Sequence, residues 1–266
     1  MTYSRAAFLR DGLALALHSW LPAAPHTVVF YVHGTQSHAG WLFETGPALA
    51  GLGCAVYALD RRGSGESEGP RGHAERYQDW IEDYIAAMIH VRTLHPGLPM
   101  LLDGQSFGGA IAVAVAADPR ACHDALLLVT PLLVQRAGLD LWKDVATDVP
   151  VKLPAPDEWF TRDPRYLEFL RDDALMTRAI TRKFHDARIA LGEHYSSLTL
   201  GGRPVALVLS RTDVMIKPEP VRELFDRLTG GAGMFIELPG TEHYLDFTPA
   251  REQLWRLVAS FARTFV

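Results

Sequence analysis

The sequence has little cysteine, no long uninterrupted apolar run and no block of like charge. Cys54 and Cys122 are the two cysteines among 266 residues, and they fit neither a metal-binding nor a redox spacing. We therefore expect free thiols and a reducing compartment, which favours the cytoplasm. No stretch reaches the roughly 18 apolar residues that a membrane-spanning helix needs, so we expect no stable membrane insertion.

The charge of the chain is low and evenly spread. The formal net charge is −5, and nothing in its distribution indicates a nucleic-acid partner. The first 22 residues contain an apolar stretch that Arg10, Asp11 and His18 interrupt. Because a signal peptide needs a continuous apolar segment, we interpret these residues as two strands joined by a turn at Asp11-Gly12.

Short apolar runs alternate with longer amphipathic segments along most of the chain. Such alternation predicts right-handed crossovers and a largely parallel sheet with helices on both faces. The predicted strands lie at 27–32, 55–59, 100–102, 125–129, 205–210 and 234–238, and the predicted helices at 76–94, 107–117, 218–228 and 249–265.

This alternation stops between about residues 133 and 200. The stretch shows no convincing strand and predicts a helix over 174–191, in which Met176, Ile180, Phe184 and Leu191 share one side. Its neighbours on both sides belong to the sheet. We therefore predict a core made of residues 1–132 and 201–266, with a mostly helical insertion at 133–200.

Ser106 lies between glycines at the junction of a predicted strand and a predicted helix. The segment Gly104-Gln105-Ser106-Phe107-Gly108 matches G-x-S-x-G, the nucleophile elbow, which requires this strand–turn–helix context. The glycines let the backbone turn sharply enough to project the hydroxyl above the sheet. Because the bare pattern also occurs by chance, it needs a base and an acid elsewhere in the chain.

Candidates for the acid and the base follow the last two predicted strands. Asp213 follows strand 205–210 and His243 follows strand 234–238, and open α/β sheets gather functional groups at the carboxyl ends of their strands. The order Ser106, Asp213, His243 is that of α/β-hydrolases. Alternatively, Asp213 is a turn residue and His243 a surface histidine, and Glu237 and Glu242 are substitute carboxylates.

Two backbone amides are candidates for stabilising an oxyanion. His33-Gly34 ends a predicted strand, so the amide of Thr35 is expected at the same edge of the sheet as the amide of Phe107, at the start of the next helix. In the alternative interpretation, His33-Gly34 only terminates a strand.

With these residues the chain resembles the α/β-hydrolases, and more narrowly the monoacylglycerol lipase and lysophospholipase-like group of serine aminopeptidase S33 type. The resemblance rests on HGTQSHAGW, ALDRRGSGESEG, LLDGQSFGGAI, the TPL that opens the insertion, and the loops of Asp213 and His243. It implies an eight-stranded sheet, a helical cap over the site, no metal or cofactor, and ester hydrolysis through an acyl-enzyme. We expect Asp60 and Ser64 of DRRGSGES to shape the core and to take no part in the chemistry.

Two positions depart from the pattern of this group. Gln105 stands where many members have histidine, and Asp103 places a charge in a strand that is usually apolar. Because burial of an unpaired carboxylate is costly, Asp103 needs a partner or a raised pKa unless it ends the strand in solvent.

We therefore predict a serine hydrolase that acts on a carboxylic ester, either a monoacylglycerol or another small lipid-like ester. The same groups would serve a thioesterase, a lactonase or a peptidase, and a non-hydrolytic protein of this fold is a further alternative. The sequence predicts neither the acyl length nor the oligomeric state. Aromatic residues of the insertion are candidates for an acyl pocket, although such side chains more often form core: Trp142, Trp159, Phe160, Phe169 and Phe184.

Overall fold

The computed structural model describes residues 1–134, 144–211, 213–239 and 242–264. Its main sheet has eight strands in the spatial order β1-β2-β4-β3-β5-β6-β9-β10, and β7 pairs with β8 in a separate two-stranded ladder. The strands are β1 Thr2–Arg10, β2 Leu13–Leu21, β3 Thr27–Val32, β4 Cys54–Leu59, β5 Met100–Gln105, β6 Ala125–Val129, β7 Pro150–Lys152, β8 Ala179–Thr181, β9 Val205–Ser210 and β10 Met234–Leu238.

The sheet is mostly parallel, as predicted. The pairs β1/β2 and β2/β4 are antiparallel, and the pairs from β4 through β3, β5, β6 and β9 to β10 are parallel. Every residue of β3, β4, β5, β6 and β9 is buried, which agrees with the apolar runs from which these strands were predicted. Strand β5 extends beyond its apolar run through Asp103, Gly104 and Gln105. The predicted turn at Asp11-Gly12 joins β1 to β2, with positive φ at both residues.

Seven helices occur in the described residues: α1 Thr45–Gly51, α2 Tyr77–Leu94, α3 Phe107–Ala117, α4 Pro164–Asp172, α5 Arg182–Ser196, α6 Pro218–Thr229 and α7 Arg251–Thr264. The four predicted helices outside the insertion are confirmed to within two residues over the described positions. Helix α1 was not predicted because TGPALAG contains two glycines and a proline, which weaken any helical pattern. Among these helices, none combines the length and the apolar character needed to cross a membrane.

The helices cover both faces of the sheet because side chains alternate along each strand. On β3, Val28 and Phe30 belong to the apolar cluster that includes residues of α2, α3 and α6. The intervening Val29 and Tyr31 belong to the cluster on the other face, which includes residues of α1 and α7. The loops at the carboxyl ends of the parallel strands are left between these two layers, and there the candidate site lies.

The segment between β6 and β9 corrects one part of the sequence interpretation. The expected absence of strands is wrong, since β7 and β8 pair in antiparallel fashion. The helix predicted over 174–191 is also wrong in its first half: α5 begins at Arg182, where the Thr181 side chain caps it by accepting the Phe184 amide. Pairing with β7 takes residues 179–181 out of the helix, which the apolar periodicity alone does not reveal.

Asp103 is buried inside β5, three residues before Ser106. The residue is 3% exposed, and its Oδ1 has no hydrogen-bond partner among the described residues. Burial raises the pKa of Asp103 well above its usual value, and the nearby Asp246 carboxyl adds to this shift. Burial of this carboxyl required either a partner or a raised pKa. The raised pKa favours a neutral carboxyl in the folded protein.

Asp103→Asn should therefore remove a pH dependence of stability. Between the unfolded pKa of about 3.9 and the raised pKa of the folded state, the native protein holds a proton that the unfolded chain releases. The free energy of unfolding then falls by about 1.4 kcal/mol for each pH unit of increase. Because an amide does not titrate, the variant should be more stable than the wild type at pH 7, with the difference shrinking towards pH 4.

Urea unfolding between pH 4 and pH 8 measures this difference. Asp226→Asn, at an exposed position of α6, is the matched control and should run parallel to the wild type. A difference between Asp103→Asn and the wild type that stays constant with pH would contradict a neutral buried carboxyl.

Candidate active site

Ser106 occupies a strained turn between β5 and α3. Its φ of 52° and ψ of −122° lie outside the usual regions for a residue with a side chain. The flanking glycines are required by close contacts: a Cβ on Gly108 would lie 1.9 Å from the carbonyl oxygen of Val32, and one on Gly104 would lie 2.7 Å from the Cβ of Ala112. The turn is thus packed too tightly against β3 and α3 to relax.

Ser106, His243 and Asp213 form one hydrogen-bonded chain. His243 Nε2 lies 2.7 Å from Ser106 Oγ, and His243 Nδ1 lies 2.7 Å from Asp213 Oδ2. The side chains of His243 and Asp213 are at most 1% exposed. With Nδ1–H donated to the carboxylate, Nε2 keeps a lone pair for the Ser106 hydroxyl. This arrangement can deprotonate the serine as it attacks an acyl group.

The second oxygen of Asp213 organises its own loop. Asp213 Oδ1 accepts the amides of Met215 and Ile216 at 2.7 and 3.1 Å, so the turn interpretation and the partnership with His243 both apply. The alternative carboxylates have other partners. Glu237 accepts from Arg211 at 2.8 Å, and Glu242 lies 3.8 Å from Arg162.

The turn 33–35 that follows β3 runs directly past Ser106. A Cβ added to Gly34 would lie 3.2 Å from the Cβ of Ser106. Phe107, on the other side of the serine, is the first residue of α3, where helix amides have no acceptor within the helix. Gly34, which precedes Thr35, and Phe107 therefore lie next to Ser106, and the role of the Thr35 and Phe107 amides towards an oxyanion stays a prediction.

Comparison with known proteins identifies the family of this chain. A family model described as serine aminopeptidase, S33, matches residues 23–247. The chain belongs to this family.

The chain is similar in sequence to several lipases. It is 33% identical over 125 residues to the monoglyceride lipase of Mus musculus, a match that spans 47% of this chain and 41% of the mouse protein. It is 28% identical over 248 residues to the monoacylglycerol lipase of Mycolicibacterium smegmatis, covering 87% and 86% of the two chains. The match to the human monoglyceride lipase likewise spans only 41% of that protein.

Solved structures show the fold. The monoacylglycerol lipase of Paleococcus ferrophilus superposes with a TM-score of 0.81 at 20% identity, over 100% of both chains. A soluble variant of the Saccharomyces cerevisiae monoglyceride lipase, in complex with a substrate analog, gives 0.86 at 16% identity, over 100% of this chain and 96% of that one. The chain therefore has the α/β-hydrolase fold.

Thr130 contacts the backbone of His243, the candidate base, and was not among the candidate residues chosen from the sequence. Its hydroxyl donates to the carbonyl oxygen of His243 at 2.9 Å, and Gln105 Nε2 donates to the same hydroxyl at 3.5 Å. Thr130 is fully buried with a φ of 40°, a costly conformation for a β-branched residue. The TPL motif was the available signal, but the sequence does not reveal which atom the hydroxyl meets.

The segment between β6 and β9 also touches the base. The His243 amide donates to the Trp159 carbonyl at 2.9 Å, and the Tyr244 amide donates to the Phe160 carbonyl at 3.3 Å. The Phe160 ring lies 6.3 Å from the His243 ring, centroid to centroid. Of the candidate pocket residues, Trp159 and Phe160 are thus placed at the site.

The other candidate pocket residues differ in position. Phe169 is half-buried and lies at 6.4 Å from the ring of Trp41. Phe184 is buried between Trp80 and Phe107, with ring centroids at 5.0 and 5.6 Å, and forms core. Trp142 lies outside the described residues.

One group of side chains has the donor atoms for a metal ion. The ligand atoms of His18, Asp60 and Glu66 lie within 4.8 Å of one another. Asp60 also accepts the amides of Ala39 and Glu66. Burial opposes its ionisation, but the hydrogen bond from His18 and nearby histidines lower the pKa of Asp60 to about 2. The group therefore has protein partners of its own, and the expectation of no metal stays a prediction.

Thr130→Val should lower kcat by about 10-fold with little change in KM. The variant keeps the branched shape but loses the donor to the His243 carbonyl, so the imidazole is held less well for proton transfer. Thr130→Ser, which keeps the hydroxyl, should retain most of the activity. Steady-state ester hydrolysis by both folded variants measures the effect, and a fully active Thr130→Val would contradict it.

Proposed function

We propose that this chain is a serine hydrolase that cleaves carboxylic esters of the monoacylglycerol type through an acyl-Ser106 intermediate. The observation that carries the proposal is the continuous hydrogen-bonded chain from Ser106 Oγ through His243 to Asp213, with 2.7 Å at each link. The lipase relatives favour an ester over the other acyl substrates that such a chain serves.

In the first half of the reaction, Ser106 Oγ attacks the ester carbonyl carbon while His243 Nε2 takes its proton. Asp213 stabilises the imidazolium that forms, and the amides of Thr35 and Phe107 donate to the developing oxyanion. The tetrahedral intermediate then collapses and breaks the bond to the alcohol oxygen. His243 gives its proton to this leaving group, and the acyl-enzyme remains.

In the second half, water takes the place of the alcohol. His243 removes a proton from the water as its oxygen attacks the acyl carbon, and the same two amides receive the negative charge. Collapse of this intermediate releases the fatty acid, and the proton returns from His243 to Ser106 Oγ. The overall reaction converts an ester and water into an acid and an alcohol, and it uses no cofactor.

We further propose that residues 133–200 form a cap over the 1–132 and 201–266 core and line the acyl pocket. An apolar cluster joins the two parts beside His243: Trp41, Phe160, Tyr166, Leu170, Met176, Tyr244 and Phe247. Asp173 of the insertion accepts from His38 Nε2 at 3.0 Å and from Trp41 Nε1 at 2.8 Å. These contacts suit a wall that receives a hydrocarbon chain and stays attached to the core through His38 and Trp41.

The cysteines support a reducing location. Cys54 and Cys122 are both free, and burial raises the pKa of the Cys54 thiol to about 11, which keeps it unreactive. We therefore propose that the enzyme acts in the cytoplasm on a small acyl ester, without nucleic acid as a partner.

Ser106→Ala and His243→Ala should each abolish covalent labelling by a fluorophosphonate and lower kcat by at least about 10⁴-fold. Loss of either member removes the nucleophile or its activation. Ser196→Ala, at an exposed position of α5, is the matched control and should label like the wild type. Intact-mass measurement reads the labelling directly, and a folded wild-type protein that does not label would contradict the proposal.

A matched set of substrates tests the ester specificity. A monoacylglycerol, a thioester with the same acyl chain and a peptide amide should be hydrolysed with the highest kcat/KM for the first. Exclusive cleavage of the amide would favour the peptidase alternative, and a higher kcat/KM for the thioester would favour a thioesterase.

A further inference from the structure

Arg61 is buried beneath the turn 33–35, immediately after β4. It is 1% exposed, and among the described residues no carboxylate oxygen lies within 4.0 Å of its guanidinium. Its terminal nitrogens instead donate to the carbonyl oxygens of His33 at 3.3 Å and of Gly34 and Thr35 at 3.2 Å, and to Ser64 Oγ at 3.2 Å. Peptide oxygens of this one turn therefore solvate the buried cation.

The Gly34 carbonyl is held by several donors. Both terminal nitrogens of Arg61 donate to it at 3.2 Å, and His33 Nδ1 donates to it at 2.9 Å. His33 Nε2 accepts the Arg61 amide at 2.9 Å, so the ring proton lies on Nδ1. Burial, aided by the charge of Arg61, lowers the pKa of His33 to about 3, which keeps the ring neutral and this tautomer in place.

The direction of the Gly34 carbonyl fixes the direction of the Thr35 amide. Both groups belong to the same peptide unit, and in a planar trans peptide the C=O and N–H bonds point in opposite directions. Because Gly34 O points at Arg61 and His33, the Thr35 N–H points away from them. Gly34 itself lies against Ser106, where an added Cβ would come within 3.2 Å of the serine Cβ.

The same guanidinium also lies over the ring of the second candidate donor residue. Arg61 Cζ is 5.4 Å from the ring centroid of Phe107 and 5.7 Å from that of Phe184. A cation facing an aromatic ring is attracted by it, most strongly where water is excluded. Arg61 thus contacts both residues whose amides are the candidate donors.

We propose that Arg61 and His33 are positioning residues for the oxyanion hole, holding the Gly34–Thr35 peptide so that the Thr35 amide is aimed at the reacting carbonyl oxygen. The inference rests on the proposed function. A positive charge at the oxygen of a peptide unit also polarises that unit and makes its N–H a stronger donor. Arg61 would therefore act on the transition state through the peptide, without touching the substrate.

Arg61→Lys tests this role because it keeps the charge but replaces a planar fork of donors with a single ammonium group. We expect kcat/KM for a monoacylglycerol to fall by about 10- to 100-fold, with KM changed by less than about 2-fold. The Ki of an alkyl trifluoromethyl ketone, whose adduct with Ser106 carries an oxyanion, should rise by the same factor. Active-site titration corrects both values for inactive protein.

Arg62→Lys is the matched control. Arg62 lies in the same loop and pairs with Asp83 at 2.6 Å. Among the described residues, its hydrogen-bond partners lie outside the turn 33–35. Its kcat/KM and Ki should stay within about 2-fold of the wild type. If Arg61→Lys loses activity but binds the ketone as the wild type does, Arg61 has a structural role only and the inference is overturned.

Ser64→Ala keeps the proposal testable if Arg61→Lys does not fold. It removes one acceptor of Arg61 and leaves the cation in place, so kcat/KM should fall and Ki should rise together, by about 2- to 5-fold. Unchanged values in this folded variant would overturn the inference. Absence of Ser106 labelling in the wild type would overturn the proposed function itself, and the two failures are thus distinguishable.

Discussion

The candidate site depends on the close packing of one turn. Ser106 is held at a φ of 52° because the glycines on either side of it leave no room between α3 and the end of β3. The strain is sustained by the buried sheet around it, in which β3, β5 and β6 lie side by side. A serine presented this way needs little reorganisation to react, because the fold has already set the direction of its side chain.

Around that turn, the polar groups are supported in layers. His243 is held at its ring by Asp213 and at its backbone by Thr130 and Trp159. The turn after β3 is held from behind by Arg61. Each of these groups is thus fixed by neighbours other than Ser106, which is how a site keeps its geometry.

The sequence predicted the parts of the molecule that follow from local patterns. Buried apolar strands were located correctly from the sequence, whereas β5 was predicted only over 100–102 because Asp103, Gly104 and Gln105 at its end are not apolar. Ser106, Asp213 and His243 were selected as candidates because each follows a predicted strand. Contacts between distant segments could not be predicted in this way. The residues of β8 follow a helical pattern in the sequence, and only their pairing with β7 shows that they form a strand. The sequence does not reveal the hydrogen bond from Thr130 to His243 or the several hydrogen bonds from Arg61, because most of the acceptors are backbone oxygens.

The hydrogen bond from the His243 amide to the Trp159 carbonyl joins the segment between β6 and β9 to the loop after β10 through main-chain atoms. A main-chain hydrogen bond does not depend on the identity of the side chains, so this bond is kept when the side chain at position 159 is replaced, as long as the backbone path is kept. The backbone between β6 and β9 is therefore restricted in its route past position 159, whereas the Trp159 side chain is not fixed by that bond. Replacement of the Trp159 side chain would then alter the surroundings of His243 without removing the backbone bond that holds its loop.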